Sequence, residues 1–295
     1  MTPTLRKEAR ADGARRAKLA GLWSIIALVG GGFGASAYTM LNRPPDPVAL
    51  CQRGTSITAS TIVLADTTDA LTEIQGRRLR RAIEAERDRT PRGGRLSIVA
   101  INDSDPTQPV ELFSGCNPGR SSDVNPLFVT AGKVDAEWTV SFGKPVEAAI
   151  AAAIDRPETP SSPLIATTAA LLTRPDFDTS VAARRLVMVS DMIEHQKGGY
   201  SHLAGSDFWK GYANSGLARY AALDLRGVAV AIDYLARPQY ATVQGLAHRR
   251  FWQRLFAEAG AAEVTFIGLA APDASPPGTS ASPEPMAAKK RQRGL

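Results

Sequence analysis

TIVLADTTDALTEI runs from Thr61 to Ile74. It opens on Ile62, Val63 and Leu64, an apolar run with no polar alternation, and after Ala65 it breaks into Asp66-Thr67-Thr68-Asp69. A short unbroken apolar run ended by polar residues reads as a strand covered on both faces. Leu71, Ile74, Leu79 and Ile83 then recur at helical spacing with arginines between them, and Pro91 with Gly93-Gly94 stops the pattern. A strand is therefore expected over Ser60–Ala65 and a helix over Leu71–Arg87. The acidic, hydroxyl-rich corner between them has three readings: a metal site, a phosphate site, or the turn that starts the helix. In the last reading Asp66, Thr68 and Asp69 accept hydrogen bonds from the helix's free N–H groups.

The same alternation continues along the chain. RLSIVAIND (Arg95–Asp103) and VELFSGC (Val110–Cys116) read as two strands joined by a short polar turn, hence an antiparallel hairpin. Helices are expected over Lys144–Ile154, over Leu164–Arg174, after Ser206 and over Gly245–Gly260. Strands are expected over Arg184–Asp191, Gly227–Leu235 and Glu263–Leu269. Strands alternating with helices imply an α/β three-layer sandwich around a mostly parallel sheet with one antiparallel edge strand. In such sheets ligands bind at the carboxyl ends of the strands, where connections leave for opposite faces. Asp66 and Asp191 both end strands.

The net charge of +6 does not mark a nucleic-acid binder. Residues 1–18 hold six Lys/Arg and two acids, and residues 271–295 hold four and two, which leaves 25 bases and 25 acids in the body. From Leu19 to Leu41 the 23 residues carry no charge, enough for a helix that spans a bilayer. With the bases on its N-terminal side, the positive-inside rule places residues 1–18 in the cytoplasm and the body outside it. A cleaved signal peptide is the rival, because Ala35-Ser36-Ala37 fits a small-x-small cleavage site; both readings export the body. The expected organisation is a basic tail (1–18), a single transmembrane helix of the inner membrane (19–41), a Pro-rich linker (42–56), one domain (57–270) and a Pro/Ser/Ala-rich tail (271–295). In an oxidising compartment Cys51 and Cys116, 65 positions apart, read as a disulfide at the end of the sheet opposite the Asp66 corner; two isolated thiols are the alternative.

Asp66-Thr67-Thr68, Ser162-Pro163-Leu164 opening a helix, and Asp191 ending LVMVSD resemble the three loops of a von Willebrand factor A domain. DTTDALTEIQGRRL, LFSGCNPG, SSPL and RRLVMVSDM look like a group of membrane-anchored bacterial proteins of this type. The resemblance implies a Mg²⁺-dependent adhesion site with Asp66, Thr68, Ser162 and Asp191 as ligands, recognising a protein partner. Hard oxygen donors suit a small divalent cation. The family's first loop is Asp-x-Ser-x-Ser, and its last position here is Ala70, so one oxygen ligand is missing. Ser162 before Pro163 also reads as an ordinary helix N-cap.

Other chemistry is weaker. His195 is an exposed-loop candidate, and His202 and His248 have no ligand-spaced partner. Tyr200, Phe208 and Trp209 in the insertion after Asp191 are candidates for a partner-binding surface, or else pack their helix onto the sheet. The alternative function is a metal-dependent hydrolase using Asp66 and Asp191, but the sequence offers no nucleophile–base pair beside them. As a surface carboxylate outside core and caps, Asp191 is expected to tolerate replacement by Ala with a change in stability below about 0.5 kcal/mol.

Overall fold

A computed structural model describes residues 51, 57–123 and 130–268. The apolar segment 19–41, most of the linker and the C-terminal tail lie outside these residues. No helix among the described residues is long and apolar enough to cross a membrane.

Six strands form one sheet: β1 (Ala59–Ala65), β2 (Arg95–Ala100), β3 (Val110–Cys116), β4 (Ala183–Ser190), β5 (Val228–Tyr234) and β6 (Glu263–Phe266). Their spatial order is β3-β2-β1-β4-β5-β6, parallel except at the β2–β3 edge. The expected hairpin, the mostly parallel sheet and the α/β class are therefore all present. The unbroken apolar runs have the cause read from the sequence. Ile62 and Leu64 face one core with Leu186 and Met188, while Val63 and Ala65 face a second core with Val187 and Val189.

One face carries α1 (Glu73–Arg89), α2 (Ala131–Trp138) and α3 (Lys144–Ile154); Leu79 and Ile83 of α1, Val146 and Ile150 of α3, and Phe142 between α2 and α3 fill the second core. The other carries α4 (Leu164–Leu172), α5 (Phe208–Asn214), α6 (Leu217–Tyr220) and α7 (Leu246–Glu258), packed around Phe251, Trp252 and Phe256. The chain leaves β1 for one face and β4 for the other, so the carboxyl ends of these adjacent strands form the crevice at which sheets of this kind bind ligands.

Three local features depart from the sequence reading. The sequence reading assigned no element to residues 131–143. Here α2 runs through a π-helical turn, Thr139–Gly143, directly into α3. The turn lets Gly143 lie under Trp138, where an added Cβ would stand 2.8 Å from the ring. Ile74, counted as a core position of the first helix, is 70% exposed, because the helix starts two residues later than expected and turns Gln75 and Gly76 inward instead. The N-cap of that helix is Thr72, not the acidic corner. Thr72 Oγ1 accepts from Gln75 N–H, and the Gln75 side chain accepts from Thr72 N–H, a reciprocal capping box.

Cys51 and Cys116 are joined in a disulfide with their Cα atoms 5.4 Å apart. Cys116 pairs in register with Arg95, the first residue of β2, so the bridge lies at the amino ends of the parallel strands, opposite Asp66.

Candidate functional site

Asp66 follows the last residue of β1 and stays in the sheet: its N–H donates to Val189 O at 3.0 Å. Asp191 follows the last residue of β4. Both carboxylates are buried, each 3% exposed. Three segments, two of them distant in sequence, supply hydroxyls to Asp66. Its Oδ1 accepts the Thr68 N–H (3.2 Å) and the Thr68 hydroxyl (2.7 Å), and its Oδ2 accepts the hydroxyls of Ser190 (2.5 Å) and Ser162 (3.4 Å). Ser162 therefore does not cap α4. That role falls to Glu194, whose Oε2 accepts the Ile165 N–H at 2.8 Å. The cap of α1 is likewise Thr72 and not Asp66 or Thr68, and the Thr68 N–H on Asp66 Oδ1 makes the opening stretch an Asx turn ahead of that helix.

The backbone around Asp191 is held in an unusual state. Met192 has φ of 62°, in the left-handed region that non-glycine residues rarely adopt. Two contacts fix it: Met192 N–H donates to Ser190 Oγ at 2.7 Å, and the Trp252 indole N–H donates to Met192 O at 2.8 Å. Ser190 thus joins the strained turn to Asp66.

The sequence reading missed the principal partner of Asp191. Arg237, three residues beyond β5 and only 4% exposed, donates from Nε to Asp191 Oδ2 at 2.6 Å. Its Nη1 donates to Ala70 O (2.7 Å) and its Nη2 to Asp69 O (3.3 Å). The other Asp191 oxygen accepts the Ile193 N–H at 2.9 Å. Burial pushes the Asp191 carboxyl upward and the neighbouring Asp66 adds to the push, while the guanidinium opposes it. The signal for Arg237 in the sequence was its position. It stands, like Asp66 and Asp191, just past the carboxyl end of a strand.

Glu194 was missed as well. Its side chain is fully buried and accepts from Ile165 N–H and from the Gln196 amide, at 2.8 and 2.9 Å. Burial pushes its pKa up to about 8. A carboxyl raised above its unfolded value near 4.5 favours folding most at low pH, and that advantage is lost as pH rises from about 4.5 to about 8. Glu194→Gln keeps the acceptor for Ile165 and removes the titration, so its stability relative to the native chain is expected to improve steadily across that window. Denaturant melts at several pH values check this. A difference independent of pH would contradict the assignment.

The histidines are sorted by the fold. His202 and His248 meet in the core, Nδ1 to Nε2 at 2.8 Å, and Tyr234 Oη lies 2.6 Å from His248 Nδ1. Burial holds His202 well below the usual imidazole range and brings His248 down to about 4. Both are neutral structural groups. His195 is half-buried and pairs with the Ser201 hydroxyl at 2.8 Å. Of the aromatic candidates, Tyr200 (8% exposed) and Phe208 (7%) belong to the core, with the Tyr200 hydroxyl donating to Phe208 O. Their burial leaves little surface for a partner, and the packing reading describes them. Trp209 is half-buried under the Arg254 guanidinium, 3.7 Å from its ring centroid.

An open cleft of about 230 Å³ lies over the corner, lined by residues including Thr68, Asp69, Ser162, Asp191, His195 and Leu203. Two carboxylates and two hydroxyls at its floor are the donor types a hard divalent cation takes. Their commitments do not fit one. Both oxygens of Asp66 and both of Asp191 already accept from protein donors, and Ala70 offers a methyl group. Among the described residues no group of three or more His, Cys, Asp or Glu side chains is arranged to hold a metal.

No protein-family profile matches the sequence, and neither does any curated protein. The functional reading therefore rests on the fold and on this corner.

Proposed function

We propose that the chain is a membrane-anchored, exported binding module that recognises a protein partner through the cleft at the carboxyl ends of β1 and β4, in the manner of a von Willebrand factor A domain. The observation that carries the reading is the convergence of Thr68 and Ser162, 94 positions apart, on the buried Asp66 carboxylate beneath an open cleft. A sheet with adjacent strands leaving for opposite faces presents its ligand at that edge. Leu203, 45% exposed at the cleft, gives a partner an apolar contact beside the polar floor. The uncharged segment 19–41, with six bases before it, supports the tether and its direction.

The hydrolase alternative finds less support. Asp191, the carboxylate that would serve as base, is held between the Ile193 N–H and Arg237, and no Cys or Lys nucleophile lines the cleft.

The test uses the full chain in its own membranes. Leu203→Asp alters an exposed side chain and is expected to leave folding intact while weakening capture of the partner by chemical crosslinking about tenfold or more, the effect of losing one interface anchor. Undiminished crosslinking by this variant would remove the cleft from the account. A reporter active only outside the cytoplasm, fused after residue 268, is expected to be active; activity of a cytoplasmic reporter there instead would reverse the topology.

A further inference from the structure

The corner resembles a metal site in position and departs from one in detail, and the departures share a cause. A divalent ion there would clamp two segments, the loop after β1 and the turn after β4. The Arg237 guanidinium already does so. Its Nε binds Asp191 Oδ2, its Nη1 binds Ala70 O and its Nη2 reaches Asp69 O, while Asp69 Oδ2 stands 3.7 Å from Nε. At position 70, where an ion would want a hydroxyl, the side chain is a methyl group and the backbone carbonyl accepts from Arg237.

The arginine is itself built in. Gln244 accepts the Arg237 N–H at 2.7 Å, and its amide donates to Asp191 O and Leu235 O, both at 2.9 Å. Pro238 follows and opens a single 3-10 turn. Gln244 therefore ties the backbones of Arg237 and Asp191 to each other, in addition to the side-chain pair. A planar fork of donors suits one carboxylate and two carbonyls better than a lysine's point charge would.

We infer that Arg237 is the resident cation of this corner, occupying by its guanidinium the place of a divalent ion between Asp191 and the Asp69–Ala70 loop, so that the folded site is metal-independent. The dication would have to displace a buried like charge from Asp191 before it could use that carboxylate. The inference goes beyond the binding reading and stands or falls on metal response alone.

Mn²⁺ is the probe, titrated by calorimetry into the purified full chain in detergent, with thermal unfolding followed in parallel. The native chain is expected to bind no Mn²⁺ at micromolar concentration and to unfold at the same temperature in Mg²⁺ and in chelator. Arg237→Met frees Asp191 and is expected to bind Mn²⁺ at least about tenfold more tightly than the native chain, with a further gain in Arg237→Met/Ala70→Ser and loss of the gain when Asp66→Asn is added. Micromolar Mn²⁺ binding by the native chain, abolished by Asp66→Asn, would overturn the inference. So would an Arg237→Met chain that folds and gains no affinity. Should Arg237→Met fail to fold, the native chain's titration still decides the question, because metal binding there contradicts a resident arginine and its absence at the intact Asp66 site supports one. Loss of partner crosslinking in Leu203→Asp is read separately, so failure of the binding reading leaves this result standing.

Discussion

Replacing Asp191 by alanine is expected to cost the fold about 3–5 kcal/mol, the penalty of leaving a buried guanidinium without its partner. On sequence grounds the same change was expected to cost less than about 0.5 kcal/mol, as for a surface carboxylate. The difference is the environment: Asp191 is 3% exposed and lies 2.6 Å from an arginine that is itself 4% exposed. Removing the acid also releases the Ile193 N–H and unties Arg237 from one of its two loops. Much of the loss should return in Asp191→Ala/Arg237→Met, because replacing both members of a buried pair by apolar groups is often close to neutral. Urea unfolding of the four chains measures the coupling. Additive losses in the double variant would mean that the two side chains do not form a pair.

Opening the Cys51–Cys116 bridge is expected to lower stability by about 4 kcal/mol, from the loop-closure entropy of a 65-residue separation. The closed loop contains β1, α1, β2 and β3, half of the sheet and the loop that carries Asp66. The bridge sits at the other end of the strands, so its effect is global and not specific to the corner. Cys51→Ala/Cys116→Ala should unfold at lower denaturant with partner crosslinking retained below its transition. A stability equal to that of the native chain would show that the bridge contributes nothing, and loss of crosslinking in the still-folded variant would place the bridge in the functional site.

The sheet was legible because burial on both faces writes itself as unbroken apolar runs. IVL in β1 and LVMV in β4 divide their side chains between two cores, and each run is followed, one residue on, by an acid. The corner was legible for a related reason. A carboxylate directly after such a run lies at the edge where the strands end, whatever its partner. What those carboxylates bind was not legible. Arg237 meets Asp191 from 46 positions away, and Glu194 reaches the first turn of α4 from 29, contacts that only the tertiary fold creates. Ile74 was misplaced because helix periodicity fixes spacing but not phase. The Thr72–Gln75 capping box sets the start, and TEIQ was there to be read as one. Residues 131–143 escaped because a helix containing Trp138, Thr139 and Gly143 has a weak period, and a π-turn shifts the buried face midway.

The aromatic insertion left two readings open, a partner surface or packing onto the sheet, and the burial of Tyr200 and Phe208 favours packing for those two. Tyr200, Phe208 and Trp209 cluster in sequence, but composition alone does not tell an interface from a core. Phe251 and Trp252 of α7 take up Tyr200 and Phe208, and Leu203, which the sequence did not mark, lines the cleft together with His195.

Photo-crosslinking at single positions tests the central claim most directly. A photoreactive residue replaces Leu203, at the cleft, or Arg226, 81% exposed by its side chain at the amino end of β5, in the full chain in cells. The account predicts a discrete protein adduct from position 203 that does not form from position 226. Equal labelling from both positions, or a discrete adduct only from 226, would contradict recognition at the Asp66–Asp191 corner.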